Sequence, residues 1–349
     1  MRGATDVAGG SPHYAGAMRI GVIASVAHRT PPWSYGPWEQ VASTLAEGLV
    51  ALGHEVTLFA TADSLTAGRL HAESPAGYEE DLTLDAKVYE SLHISAAFER
   101  AGEFDVLSNQ FDFLPLTYSR LVRTPVVTTI HGFSSPAILP VYRAYADVGH
   151  YVSISDADRH PDLPYRATIH HGIDLAEFTF RPEAGVYLLF LGRIHPHKGA
   201  HRAIEVARRA GLPLVLAGII QDQEYFADQV EPHLGPDVTY LGPVGPAERD
   251  RLLGGALALL HLISFAEPFG LSVVESLATG TPVIAYALGS LPELVRPGET
   301  GFLPHDLDQA VKAVEQVATL NRRTCREDVE TRFTAQRMVA AYEQLFTAL

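Results

Sequence analysis

Short apolar runs bounded by turn residues recur along this chain, and they alternate with stretches whose apolar positions repeat every three to four residues. The runs predict strands at Arg19 to Ala24, His54 to Ala60, Val106 to Ser108, Pro125 to Ile130, Tyr151 to Ile154 and Ala167 to Ile169. Between the first two, Glu39 to Leu52 has a helical period that stops at Gly53, completing a strand-helix-strand unit. After Phe180-Arg181-Pro182-Glu183-Ala184-Gly185 the series restarts, with strands expected at Tyr187 to Leu191, Pro213 to Ala217, Val238 to Leu241, Ala256 to His261 and Pro282 to Ala287. Such alternation is the pattern of parallel sheets covered by helices. It predicts an α/β protein of two Rossmann-like doubly wound domains, over residues 18–176 and 177–330, joined near residues 175–185. The last helical period, Thr334 to Leu349, has no strand after it, so residues 331–349 are expected to pack back on the first domain. In open parallel sheets ligands bind beyond the carboxyl ends of the strands, which places the expected site in a central cleft between the two units.

The chemistry concentrates in Phe265-Ala266-Glu267-Pro268-Phe269-Gly270-Leu271-Ser272-Val273-Val274-Glu275. An apolar strand feeds this turn and an amphipathic helix is expected to follow it to Thr279-Gly280, so Glu267 and the amides of Phe269, Gly270 and Leu271 gather at a helix N-terminus. Such an end binds anions and hydroxyls. Glu275 lies about one turn inside the helix on another azimuth, so the two carboxylates can hold different parts of one long ligand. A second run, Leu191-Gly192-Arg193-Ile194-His195-Pro196-His197-Lys198-Gly199, closes a strand and opens a helix. Arg193 can fork onto a diphosphate while Lys198 adds a point charge.

Composition narrows the partners. The chain has 349 residues, 47% hydrophobic, with a formal charge of −15, of which about −10 falls before residue 180. No basic face for nucleic acid is expected. The longest apolar stretch, Gly254 to Ala266, is interrupted by His261 and falls short of the roughly 20 residues that a membrane span needs. A single cysteine, Cys325, leaves no internal disulfide framework and suits a cytoplasmic setting. Residues 1–17, rich in Gly, Ala, Ser and Pro, are expected to be a disordered extension, with Met18 directly before the first strand.

Taken together, Gly192-Arg193 with Lys198-Gly199, Glu267-Pro268-Phe269-Gly270-Leu271 with Glu275, and Gly280-Thr281-Pro282-Val283-Ile284-Ala285 resemble the retaining GT-B fold glycosyltransferases of family 4. The first half is similar too, in Pro31-Pro32-Trp33-Ser34-Tyr35-Gly36-Pro37-Trp38-Glu39, Thr129-Ile130-His131-Gly132, Ile154-Ser155-Asp156 and His171-Gly172-Ile173-Asp174. The resemblance implies an acceptor-binding first domain and a second domain that binds a nucleoside diphosphate sugar. It implies that Arg193 and Lys198 neutralise the departing diphosphate and that Glu275 holds the ribose. Glu267, with the backbone of Phe269, Gly270 and Leu271, would bind the transferred sugar, which His131 also reaches. Gly36 would approach the phosphate, and the loops at Gly218 and Val244 would surround ribose and base. Where the family has a second glycine this chain has Pro37, which lacks an amide hydrogen and suits the first position of a helix.

Further expectations concern the acceptor. Trp33 and Trp38 are candidates for an acceptor wall, and Asp112 for an acceptor ligand. A soluble acceptor is expected ahead of a lipid. No metal or other cofactor is expected at the site, His195, His197 and His201 included. The reading is hexose transfer with retention, UDP being the favoured base. The alternatives are a GT-B-like sugar-nucleotide epimerase and a non-catalytic sugar-nucleotide-binding protein.

Overall fold

The computed structural model describes residues 16–132 and 136–349, so nearly all of the expected N-terminal extension lies outside the described residues. Strands β1 (Arg19–Ile23), β2 (Glu55–Phe59), β3 (Arg69–His71), β4 (Val106–Asn109), β5 (Val126–Ile130), β6 (His150–Ser153) and β7 (Tyr165–Thr168) form a seven-stranded sheet in the order 3-2-1-4-5-6-7. Strands β8 (Leu188–Leu191), β9 (Leu214–Ala217), β10 (Val238–Tyr240), β11 (Ala258–His261), β12 (Val283–Ala285) and β13 (Gly301–Phe302) form a six-stranded sheet in the order 10-9-8-11-12-13. All pairings within both sheets are parallel. Two of these strands carry no apolar signal in the sequence. β3 is a three-residue edge strand whose first two residues are exposed, and β13 is a two-residue strand that begins at Gly301.

Helices α1 (Pro37–Ala51), α2 (Ala86–Glu99) and α3 (Leu139–Ala144) accompany the first sheet. The second carries α4 (Ala200–Ala210), α5 (Gln223–Gln229), α6 (Pro246–Gly255), α7 (Leu271–Ala278), α8 (Leu291–Leu294), α9 (Leu307–Val317) and α10 (Arg322–Arg332), and α11 (Ala335–Thr347) ends the chain. α1 places Val41, Leu45 and Leu49 on one buried stripe, four residues apart as a helix face requires. It stops where Gly53 takes a φ of 90°, a left-handed conformation favourable to glycine.

α11 returns to the first sheet, and its Met338, Val339, Tyr342 and Phe346 share a core with that α1 stripe. Gly48 permits the approach, because a Cβ there would lie 2.4 Å from Val339. Where the chain passes between the sheets for the first and second time, Ile173 and Phe333 meet. Ile173 donates its amide to the Phe333 carbonyl and accepts from Ala335, both at 2.9 Å.

The strand order reverses between β1 and β4 in one sheet and between β8 and β11 in the other. Loops leaving such switch points open a crevice above the sheet. The loop after β1 carries Tyr35 and Gly36, that after β8 carries Arg193 and Lys198, and that after β11 carries Glu267.

Candidate active site

The loops after β8 and β11 are knitted together by main-chain bonds. Ser264 donates its amide to the His197 carbonyl at 2.9 Å, and Gly199, with φ 79°, lies so near Leu262 that a Cβ would sit 2.2 Å from its carbonyl oxygen. This contact brings Lys198 Nζ to 2.7 Å from Glu267 Oε2, a largely buried ion pair. His261 Nε2 lies 3.2 Å from the same oxygen. Burial by itself would push the Glu267 carboxyl up, but the hydrogen bonds from His261 and Lys198 and the positive charge of Lys198 outweigh it and hold the group down at about 2. Glu267 is therefore an anion across the neutral range. Lys198 keeps further N–H donors for a ligand oxygen. Arg193 stands at the mouth of the site, donating to Gln221 Oε1 at 2.7 Å.

The turn beyond Glu267 is clasped by the loop after β12. Ser290 donates its amide to the Glu267 carbonyl at 2.9 Å, and its hydroxyl bonds the Phe269 carbonyl. The preceding residue, Gly289, has room only because it has no side chain, as a Cβ would meet the Glu267 carbonyl at 2.3 Å. Gly270, at φ 100°, serves as N-cap of α7, and no side chain caps the helix, so Glu267 is not a capping residue. α7 departs from the amphipathic expectation, since Val273 to Ala278 are all buried. It lies between the second sheet and α10, with Leu271 at its N-terminal end packed against the core of the first sheet. Glu275 is consequently a buried carboxylate, with Arg249 Nη1 at 3.4 Å. Arg249 also lies 3.9 Å from Glu177.

The opposite wall comes from the first sheet. Gly36 precedes Pro37 with φ 151°, and a Cβ there would lie 2.9 Å from both Glu39 Oε2 and the Pro32 side chain. Tyr35 lies with its ring 5.9 Å from the Arg193 guanidinium, so the loops from the two sheets face one another. Trp38 stacks on His131, ring centres 5.5 Å apart and planes at 22°.

His131 is fixed by its partners. Gln110 uses its Nε2 hydrogens on Ser108 Oγ at 3.0 Å and Thr129 Oγ1 at 2.9 Å, so its Oε1 accepts from His131 Nε2 at 3.1 Å. Burial pushes the His131 ring down to about 3, so it is neutral and its Nδ1 is bare. That nitrogen faces His171 Nε2 at 3.4 Å, which assigns the hydrogen to His171. Both ring nitrogens of His131 are thus engaged within the protein, and the open one is His171 Nδ1, buried without a partner among the described residues.

The remaining candidates are placed less centrally. Val244 buries its side chain in the core with Leu252, leaving its backbone for any ligand contact. Gly218, at φ 141°, packs so closely on the Gly192 carbonyl that a Cβ would lie 2.0 Å from the oxygen. Asp112 is turned onto its own loop, accepting from the Phe113 amide at 2.6 Å, and burial pushes its carboxyl up to about 6. Trp33 lies on the Arg29 guanidinium, 4.0 Å from the ring centre. His195 and His197 have ring centres 4.8 Å apart, while His201 turns to Tyr225.

Arg249, His171, Gln110 and His261 escaped sequence reasoning as site residues. A signal existed for His261, a lone histidine ending an apolar strand, but none for Arg249, which sits on an ordinary polar helix.

Across the cleft, Glu293 on α8 accepts the amides of Asp156 and Ala157 at 3.0 and 2.8 Å and lies 3.0 Å from His170 Nε2. Among the described residues, no helix is long and apolar enough to cross a membrane.

Comparison with known proteins fits this arrangement. Residues 175–331 match the sequence-family model of glycosyl transferases group 1, and residues 38–177 match that of Glycosyltransferase Family 4. A glycogen synthase of Mycobacterium tuberculosis is 33% identical over 211 residues, covering 54% of this chain and 50% of the relative. A D-inositol 3-phosphate glycosyltransferase of Mycobacterium marinum is 33% identical over 174 residues, covering 44% and 37%. The matched region thus spans about half the length, or less, of these curated relatives. Among solved structures, sucrose-phosphate synthase from Thermosynechococcus elongatus superposes with a TM-score of 0.76 at 20% identity, covering 95% of this chain and all of that one. HepE of Anabaena, in complex with UDP and glucose, gives 0.75 at 18% identity with the same coverage. These likenesses establish the fold as GT-B. With two family models meeting end to end across both sheets, the chain belongs to the group 1 glycosyltransferases.

Proposed function

We propose that this chain transfers a hexose from a nucleoside diphosphate sugar, a UDP-sugar in the first instance, to an acceptor hydroxyl with retention of anomeric configuration. The observation that carries the reading is the 2.7 Å pairing of Lys198 with Glu267, which joins the diphosphate loop and the sugar turn in one buried charged unit. In this reading residues 18–176 bind the acceptor and residues 177–330 the donor. Glu267 and the turn amides hold the sugar hydroxyls, His171 Nδ1 offers a further acceptor, and Glu275 takes the ribose. The HepE complex with UDP and glucose supports the choice of donor class.

As the bond from C1 to the diphosphate oxygen breaks, Arg193 and Lys198 stabilise the charge that develops. The departing oxygen takes the proton of the acceptor hydroxyl, and the acceptor oxygen bonds C1 on the same face. No side-chain nucleophile is needed, and the two cations supply the charge that a metal would otherwise bring. The closed cleft contributes alignment. A cytoplasmic setting belongs to the same reading.

Incubation with UDP-, GDP- and ADP-sugars, with nucleotide release and the anomeric configuration of the product followed by NMR, tests it. Release of nucleotide from one donor and a retained product are expected. No turnover with any donor, alone or with hydroxyl acceptors, would overturn it.

A further inference from the structure

Arg29 lies in the loop after β1, and only 3% of it is exposed. A guanidinium removed from water normally carries a carboxylate or a set of carbonyls. Among the described residues, Arg29 Nε has no hydrogen-bond partner and no carboxylate pairs with the group. The nearby Glu80 is engaged elsewhere, accepting the Arg29 main-chain amide at 3.1 Å and lying 3.8 Å from His28. What covers the cation is the face of Trp33, 4.0 Å away, and Trp33 is itself 68% exposed. A cation over an indole face is partly compensated. The buried, unpartnered Nε–H still calls for an oxyanion, which the planar fork is shaped to receive. The adjacent Thr30 hydroxyl is also buried without a partner.

The position connects this pair to the cleft. His28 meets Tyr35 edge-on at 6.0 Å, and Tyr35 faces Arg193. The loop therefore runs from Arg29 to the donor side of the site. The chain carries a net charge of −15, so a free anion gains little from the protein at long range and has to be held by a local cation.

We propose that Arg29, with Trp33 as a movable cover, recognises an oxyanion, a phosphate or a carboxylate, carried by the acceptor. This rests on the transferase reading above and narrows its acceptor to an anionic hydroxyl compound. Rotation of the exposed indole uncovers the fork, and the indole then borders the bound anion.

Thermal unfolding with inorganic phosphate or acetate as probe tests the site, with saturating UDP present to occupy the diphosphate clamp. In the wild type one of the probes raises Tm; a larger shift with phosphate indicates a phosphate-bearing acceptor, and a larger one with acetate a carboxylate. Arg29→Met raises Tm in the absence of anion, because an unpaired buried charge is removed, and loses the anion-dependent shift. Arg29→Lys folds with its charge and needs on the order of tenfold more anion for the same shift. An unchanged anion shift in Arg29→Met, or no shift by either probe in the wild type, overturns the proposal. The UDP shift measured beforehand is independent of Arg29, so its absence would count against the donor reading alone.

Discussion

Ser155 donates its hydroxyl to the Pro268 carbonyl at 2.7 Å, tying the loop after β6 of one sheet to the Glu267 turn that follows β11 of the other. Gly132 lies against the same proline, since a Cβ there would be 2.6 Å from its side chain. The two sheets therefore touch at the turn that carries the site. Glu293 reinforces this junction through the Asp156 and Ala157 amides and His170.

Glu293→Ala strands two amides and a histidine at this junction. A loss of about 1–3 kcal/mol is expected from thermal or urea unfolding. Donor KM should rise more than kcat falls, because the reacting groups stay in place and the loops lose their alignment. Unchanged stability and KM would show that the clamp contributes nothing.

Lys198→Ala removes the partner of a buried carboxylate and the charge proposed to stabilise the leaving group. Turnover is expected to fall by about a hundredfold to a thousandfold. Stability is expected to fall by about 3–5 kcal/mol, as when one member of a buried pair is removed. Glu267→Gln in the same background should recover part of the stability without recovering the activity. Steady-state kinetics and unfolding on the two proteins separate the effects.

His131 supplies a pH test with a defined sign. Its ring titrates at about 3 in the folded chain, below its ordinary 6.5, so the unfolded state binds the extra proton in between and stability falls as pH drops through that window. Each such histidine contributes a slope of about 1.4 kcal/mol per pH unit. His131→Gln lacks the group, and its Tm should gain on the wild type as pH is lowered from 6.5 toward about 4. Parallel curves would show that the ring is not held neutral.

Gly218→Ala forces a Cβ toward the Gly192 carbonyl at a φ of 141°. A loss of about 1–3 kcal/mol is expected from overpacking, with weaker donor binding because β8 and its Arg193 loop must shift. Thermal shift with and without UDP reports both.

Much of the architecture was legible before the structure because its causes are local. Apolar runs, helical periods and the stops at Gly53 and Gly280 depend on residues within a few positions of one another, and so did the placing of Arg193, Lys198 and Glu267 on loops after strands. β3 and β13 were not legible, since short edge strands leave no apolar alternation to read. The burial of α7 was hidden for a related reason. Its sequence shows an amphipathic period and gives no sign that every position from Val273 to Ala278 is covered.

What the chain determined by itself was the alternation of strands and helices in two units and the residue types at the cleft, while the strand order and its switch points came with the tertiary structure. Only the tertiary structure decided which of those residues meet. His131 and His171 are 40 positions apart and Lys198 and Glu267 are 69 apart. The isolation of Arg29 beneath Trp33 is likewise invisible to pattern. Hydrogen-bond partners and desolvation are set by loops converging from separate strands, and no periodicity along the chain encodes where those loops come together.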